Sequence, residues 1–287
     1  MTTICRGPIL PPQVTILVRP GGAIQLGWHP EDSLVLETEG LETDTVLGFL
    51  RLLDGSHTRP QILWQANEYG ITPEQALALL DLIDTAELLE HPVDRAWQVT
   101  EVRIHGLGPL SDALTTGARR MGLHPSRSHE YGANTPPVRT WHTDLVILAD
   151  ALIPDPHLVD ELVRHRIPHL PVRVRDGRGM VGPLVLPGAT SCLRCADLRR
   201  ADNDADWPHL AAQLYGRVGS ASPATIAATA AIALGELESI SSLSARRPPV
   251  TLDTTVELDP HSHLVQQRRW IRHRDCVCRG LHAEVSE

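Results

Sequence analysis

Apolar residues in the amino-terminal third fall first into three short clusters, at 14–18 (Val-Thr-Ile-Leu-Val), 23–28 and 33–37 (Ser-Leu-Val-Leu-Glu), the first two divided by Arg19-Pro20-Gly21-Gly22. Short runs bounded by Gly and Pro predict strands. The spacing then becomes helical. Val46, Leu47, Leu50 and Leu53 recur after Thr43, and the pattern stops at Asp54-Gly55. A second helix starts at the N-cap candidate Thr58, two residues before Pro60, and runs through Ile62, Leu63 and Ala66. A third opens on Thr72-Pro73-Glu74-Gln75, a capping-box pattern, and carries Leu77, Leu80, Ile83 and Leu88 on its inner stripe. Strands followed by three helices predict an α+β, winged-helix-like domain over residues 1–95.

Beyond His91-Pro92 the pattern alternates. Val99–Ile104 predicts a strand that enters His105-Gly106-Leu107-Gly108-Pro109-Leu110-Ser111 and a helix to about Met121; Leu123–Ser128 is a weak second strand, and 126–140 is a loop rich in Ser, Pro and Gly. Asp144–Asp150 predicts a buried parallel strand, Asp155–Arg166 a helix and His169–Val174 another strand, after which Asp176–Gly179 turns the chain back through Met180–Leu186. This alternation predicts a parallel sheet covered on both faces, an α/β Rossmann-like domain over 96–287. A glycine turn between strand and helix can carry backbone amides to a phosphate. Here Ser111 stands in the place of the third glycine, and no Asp or Glu ends the second strand to hold a ribose. The turn therefore speaks for the fold and argues against ATP as a cofactor. From Ser222-Pro223 a helix runs to Leu243 with Ala227, Ala228, Ala230 and Ala231, small side chains that suit either a dimer-forming or a core helix. Val250–Leu258 and Leu264–Trp270 predict a hairpin.

The hairpin delivers half of the most chemically specific pattern in the chain. Cys192 and Cys195 form one close pair, and Cys276 and Cys278 another. Two such knuckles supply the four thiolates of a closed tetrahedral zinc site, which leaves no position for water or substrate, so the metal is structural. Redox pairs or buried thiols are the alternative, and His273 or His282 could replace one cysteine. Cys5 is a spare thiol.

The length of 287 residues suggests two domains. One Phe and three Tyr leave the cores to aliphatic residues. With no signal-peptide pattern and no apolar run long enough to span a bilayer, a soluble cytoplasmic protein without membrane contact is expected. The sequence contains no lysine, so all 26 basic residues are arginine; mechanisms that require a phosphate-binding or Schiff-base lysine are excluded. A net charge of −9 argues against a polyanionic partner. Between Glu31 and Glu90 thirteen Asp or Glu stand against two Arg, and the third helix bears Glu74, Asp81, Asp84, Glu87 and Glu90 with no basic residue. A duplex reader needs the opposite sign there, so nucleic acid is not the partner. An open sheet edge can instead accept a peptide as an added strand. The candidates are Leu34, Val35, Leu36 and Glu37 on the edge, with Leu79, Leu80 and Ile83 on the facing helix; the alternative is an edge capped by the other domain.

Gly182-Pro183-Leu184-Val185-Leu186-Pro187-Gly188, followed by Cys192-Leu193-Arg194-Cys195, Asp197, Asp202 and Trp207-Pro208, resembles the ThiF-like cyclodehydratase partner proteins of thiazole/oxazole-modified peptide biosynthesis, within the ubiquitin-activating-enzyme-like superfamily. The resemblance covers nearly the whole chain. It implies a winged-helix element that recognises the leader of a ribosomally made precursor peptide, a Rossmann-like zinc domain, and ring formation by a separate YcaO-type cyclodehydratase that this protein supplies with substrate. The closing Cys-x-Cys departs from the superfamily's usual Cys-x-x-Cys. Adenylating relatives use a lysine and arginines around the ATP phosphates; an active adenylyltransferase working through arginines alone is the rival expectation.

Overall fold

In the amino-terminal part, β1 (Ile16–Val18) and β2 (Ile24–Leu26) are antiparallel. They are joined where Gly21 and Gly22 adopt φ of +100° and +92°, a left-handed backbone that glycine tolerates without strain. β3 (Leu34–Leu36) joins β2 with Leu36 opposite Ile24, giving the order β1-β2-β3. Three helices follow: α1 (Thr43–Arg51), α2 (Arg59–Glu68) and α3 (Pro73–Thr85). The predicted box at Thr72 forms, and the N-cap candidate Thr58 makes a second box with Gln61. The Gln61 Oε1 accepts from the Thr58 N–H at 2.8 Å, and Gln75 and Thr72 bond reciprocally at 2.9 and 3.3 Å. The computed structural model describes residues 7–29, 31–37, 40–91, 99–241 and 248–280, and the chain divides into one unit spanning 1–96 with 243–246 and a second spanning 97–242 with 247–287.

The core of the first unit gathers Ile24, Leu26, Leu36, Val46, Phe49, Ile62, Leu80 and Ile83, all at most 3% exposed. Each such side chain stabilises the unit by about 1.5–3 kcal/mol through burial. On α3 the buried stripe is Ala76, Leu79, Leu80 and Ile83. Leu77, expected inside, is 36% exposed, because positions 76, 79, 80 and 83 make the continuous helical stripe once a small Ala is counted as apolar.

The second unit is built on a seven-stranded sheet of order β10-β9-β8-β7-β6-β4-β5. β4 (Glu101–His105), β5 (His124–Ser128), β6 (Leu145–Ala149) and β7 (His169–Arg175) are parallel. β6 is buried at every position, as a strand covered on both faces requires. β5, His-Pro-Ser-Arg-Ser, lacks apolar residues and takes the edge. Contrary to the expected parallel sheet, β8 (Arg178–Val181), β9 (Thr254–Asp259) and β10 (Leu264–Arg269) are antiparallel additions. Tight connections dictate this for β7–β8 and β9–β10: a parallel neighbour needs a long crossover, and only Asp176 and Gly177 separate β7 from β8 and residues 260–263 separate β9 from β10.

α4 (Pro109–Arg120), α5 (Pro156–Arg164), α6 (Leu193–Asn203), α7 (Trp207–Leu214) and α8 (Pro223–Ser241) complete the unit. α8 lies against α4, β7 and β8 and buries Thr229, Ala230, Ala233 and Leu237. A Cβ at Gly117 of α4 would meet Leu234 at 2.2 Å; of the four alanines expected to allow close approach, Ala230 packs within the chain, whereas Ala227, Ala228 and Ala231 are exposed. No described helix is long and apolar enough to cross a membrane.

Candidate functional site

The four cysteines expected from the sequence converge. Cys192 precedes α6, where the Cys195 N–H donates to the Cys192 carbonyl at 3.0 Å and folds the first knuckle. Cys276 and Cys278 flank Val277, which is 70% exposed while both thiols point inward. A short 3₁₀ turn over Val277–Gly280 thus brings together two thiols separated by a single residue. The Sγ–Sγ distances are 3.7 Å for Cys192–Cys195, 3.6 Å for Cys192–Cys276 and 3.4 Å for Cys195–Cys278, and all four sulfurs lie within 4.8 Å of one another. Disulfides need about 2.05 Å. Four sulfurs around a tetrahedral ion at about 2.3 Å stand roughly 3.8 Å apart, so the set fits a thiolate-bound metal.

The electrostatics agree with that fit. Hydrogen bonding from Cys192 pushes the Cys195 thiol down to about 4, whereas the same bond together with burial pushes Cys192 up, and burial raises Cys278 to about 12. Four thiolates cannot share this pocket without a cation. His273 is no ligand: its Nε2 lies 2.8 Å from Asp202 Oδ2, and its Nδ1 accepts from the Asp275 N–H at 3.2 Å. Both nitrogens are engaged, and the pair joins α6 to the carboxyl-terminal knuckle. The bond from His273 holds the Asp202 carboxyl below its usual range. Cys5 and His282 lie outside the described residues.

The glycine turn has a use that its sequence does not announce. Asp150, after β6, accepts the first free amides of α4, Leu110 N at 2.9 Å and Ser111 N at 3.2 Å. A helix N-terminus at the carboxyl end of a parallel strand is where a doubly wound fold takes a phosphate; here a carboxylate of the chain itself fills it. The glycines accommodate that carboxylate, since a Cβ at Gly108 would lie 2.7 Å from it. A cleft of about 400 Å³ remains beside the turn, lined by Glu130, Asp150 and Asp155 and by one arginine, Arg217.

The proposed peptide residues divide in two. Leu36, Leu79, Leu80 and Ile83 are at most 7% exposed and form the core of the first unit, so their side chains are already engaged. Leu34 also packs against that core, half-buried. Val35 and Glu37 alternate to the other face, Glu37 exposed. Among the described residues β3 pairs with β2 alone.

No protein-family model matches the sequence, and no curated protein matches it. Solved structures do. A heterocyclase in complex with substrate and cofactor aligns at 17% identity and TM-score 0.61, over 94% of this chain and 39% of that one. Heterocyclase TruD aligns at 15% and 0.58, over 95% and 42%. E. coli MccB with ATP aligns at 13% and 0.58, over 94% and 99%. The chain therefore spans about two-fifths of the two heterocyclase chains and nearly all of MccB. At such identities the likeness is one of fold alone: an α/β protein with a mixed sheet, built like heterocyclases and MccB.

Proposed function

We propose that the protein is a recognition subunit of the ThiF-like cyclodehydratase-partner type, which binds the leader of a ribosomally made precursor peptide and presents its core to a YcaO-type cyclodehydratase. The open edge of β3 carries this reading: it has one sheet neighbour among the described residues, and an unpaired strand edge offers a row of main-chain donors and acceptors to an extended peptide. The three strands and three helices of the first unit are taken as a winged-helix-like recognition element. The fold likeness to a heterocyclase bound to substrate, and to MccB in complex with N-formylated MccA, supports a peptide ligand. Specificity would come from Leu34, Val35 and Glu37, while Leu36, Leu79, Leu80 and Ile83 hold the edge in place. Tethering the leader raises the concentration of the core peptide at the partner's active site, so no chemistry is required of this chain. Zinc held by Cys192, Cys195, Cys276 and Cys278 would fix the carboxyl-terminal segment to α6.

The rival is an ATP-dependent adenylyltransferase, favoured by the likeness over nearly the whole of MccB, which binds ATP. Against it stand the absent lysine and the Asp150 carboxylate on the α4 amides. The deciding titration measures fluorescence anisotropy of a labelled leader, taken from a precursor gene beside this one, with the wild type, Val35→Arg and Glu37→Arg. Micromolar or tighter binding weakened by either variant supports leader capture. Absence of binding to folded, zinc-loaded protein, together with ATP–pyrophosphate exchange, would establish the rival.

A further inference from the structure

A second cleft, of about 720 Å³, opens beside β7, α6 and α7 and carries Arg173, Arg175, Arg200 and Arg217 on its wall against the single lining carboxylate of Asp176. In a chain of net charge −9 this is a local reversal of sign. Two of the four cations are neutralised within the fold. Arg200 bonds Asp197 at 2.7 Å and stands between the indoles of Trp207 and Trp270, at 5.1 and 5.0 Å. Arg175 lies 3.7 Å from Asp176 and 3.9 Å from Glu257.

The other two lack a contact ion pair, although the Asp197 carboxylate acts on Arg173 from a distance. Arg173 and Arg217 make no ion pair with any described residue; Arg173 donates one bond to the Leu152 carbonyl at 3.2 Å. Burial, and next the neighbouring Arg200, pushes Arg173 down to about 10, which still leaves it cationic at neutral pH. A desolvated guanidinium such as that of Arg173 is costly unless an anion joins it, and the planar forks of Arg173 and of the exposed Arg217 match a carboxylate in two-point geometry. Trp207, Leu210 and Leu214 supply an apolar wall to the same cleft, and Trp207 also lines an adjoining cleft of about 630 Å³ with Pro208, Ala211 and Tyr215. An inorganic anion has no use for such walls, whereas a peptide in which acidic and apolar side chains alternate would use both.

We propose that this cleft binds an acidic peptide segment, with side-chain carboxylates on Arg173 and Arg217 and flanking apolar residues against Trp207 and Leu210. This rests on the reading that the protein handles a peptide, and it adds a second contact remote in sequence from β3. The test is anisotropy of the full chain with two labelled probes, Leu-Asp-Leu-Glu-Leu amide and its Leu-Asn-Leu-Gln-Leu counterpart. The acidic probe should bind tighter, and Arg217→Gln or Arg173→Met should each weaken it about tenfold, the order expected for one lost charge-assisted hydrogen bond. Arg217 is exposed, so its variant keeps the fold even if Arg173→Met does not. Equal binding of the two probes, or undiminished binding by folded Arg217→Gln, would overturn the proposal. So would displacement of the acidic probe by pyrophosphate at lower concentration than by unlabelled peptide, which would assign the cleft to phosphate. Neither probe contains leader sequence, so failure here leaves leader capture standing, and a failed leader titration alongside a bound acidic probe would remove leader capture instead.

Discussion

Replacing Asp150 by Asn tests the claim that the chain fills its own phosphate position. Asn keeps the size of the side chain and tolerates the left-handed backbone at this position, where φ is +70°. One amide, Leu110 N or Ser111 N, can still donate to the remaining side-chain oxygen, but the other then faces an NH₂ group. Both residues are at most 1% exposed, so water cannot replace the lost acceptor. A buried donor left unpaired costs about 1–3 kcal/mol, and the lost charge at a helix N-terminus about 0.3–2 kcal/mol more; the relief from not burying a carboxylate offsets part of this. The net expectation is a destabilisation of about 2 kcal/mol, which lowers the melting temperature of a domain this size by roughly 4–8 °C. Thermal unfolding by circular dichroism, with and without Mg-ATP, measures it. Asp150→Asn melting with the wild type would show that the carboxylate does not satisfy these amides, and strong protection of the wild type by Mg-ATP would show that the site still takes phosphate.

Chelation, or Cys278→Ser, should release one metal per chain and unfold the carboxyl-terminal segment, read by elemental analysis and proteolysis; full metal retention by Cys278→Ser would rule out the four-sulfur site. Asp202→Ala should speed metal loss to a chelator without changing stoichiometry, because His273 then loses the bond that joins the knuckles; an unchanged off-rate would leave that bond without a role. Leu36→Glu should unfold the first unit, since it places a charge at a position 0% exposed, and a folded variant would contradict the core assignment. Burial depresses His169 to about 4, so between there and the unfolded value near 6.5 the unfolded chain binds more protons. Stability should be full above pH 6.5 and decline as pH falls toward 4, by about 3 kcal/mol from this residue; His169→Leu should flatten part of that slope in urea titrations at several pH values, and an unchanged slope would refute the assignment.

The cysteine knuckles and the capping box at Thr72 were legible because their chemistry is local: ligand spacing and the Thr-x-x-Gln pattern do not depend on distant packing. The turn at 176–179 and the hairpin of β9 and β10 were legible too; that these antiparallel strands extend the parallel sheet was not, because an apolar strand such as Met180–Leu186 carries no mark of which neighbour it takes. Leu36 and Leu80 looked like groove residues because periodicity identifies an apolar face without saying what covers it, and the protein's own core does. Asp150 is separated from Leu110 by forty residues, and only the parallel pairing of β4 with β6 joins them. Arg173 and Arg175, two apart on an otherwise apolar strand, were the readable sign of the arginine cleft, since alternate positions share a face.

The most direct test of leader capture is amide hydrogen exchange of the full chain with saturating leader peptide. Added-strand binding predicts new protection concentrated at residues 33–37 of the β3 edge, with smaller changes elsewhere in the first unit. Tight binding with unaltered exchange at 33–37 would contradict the account and place the peptide elsewhere on the protein.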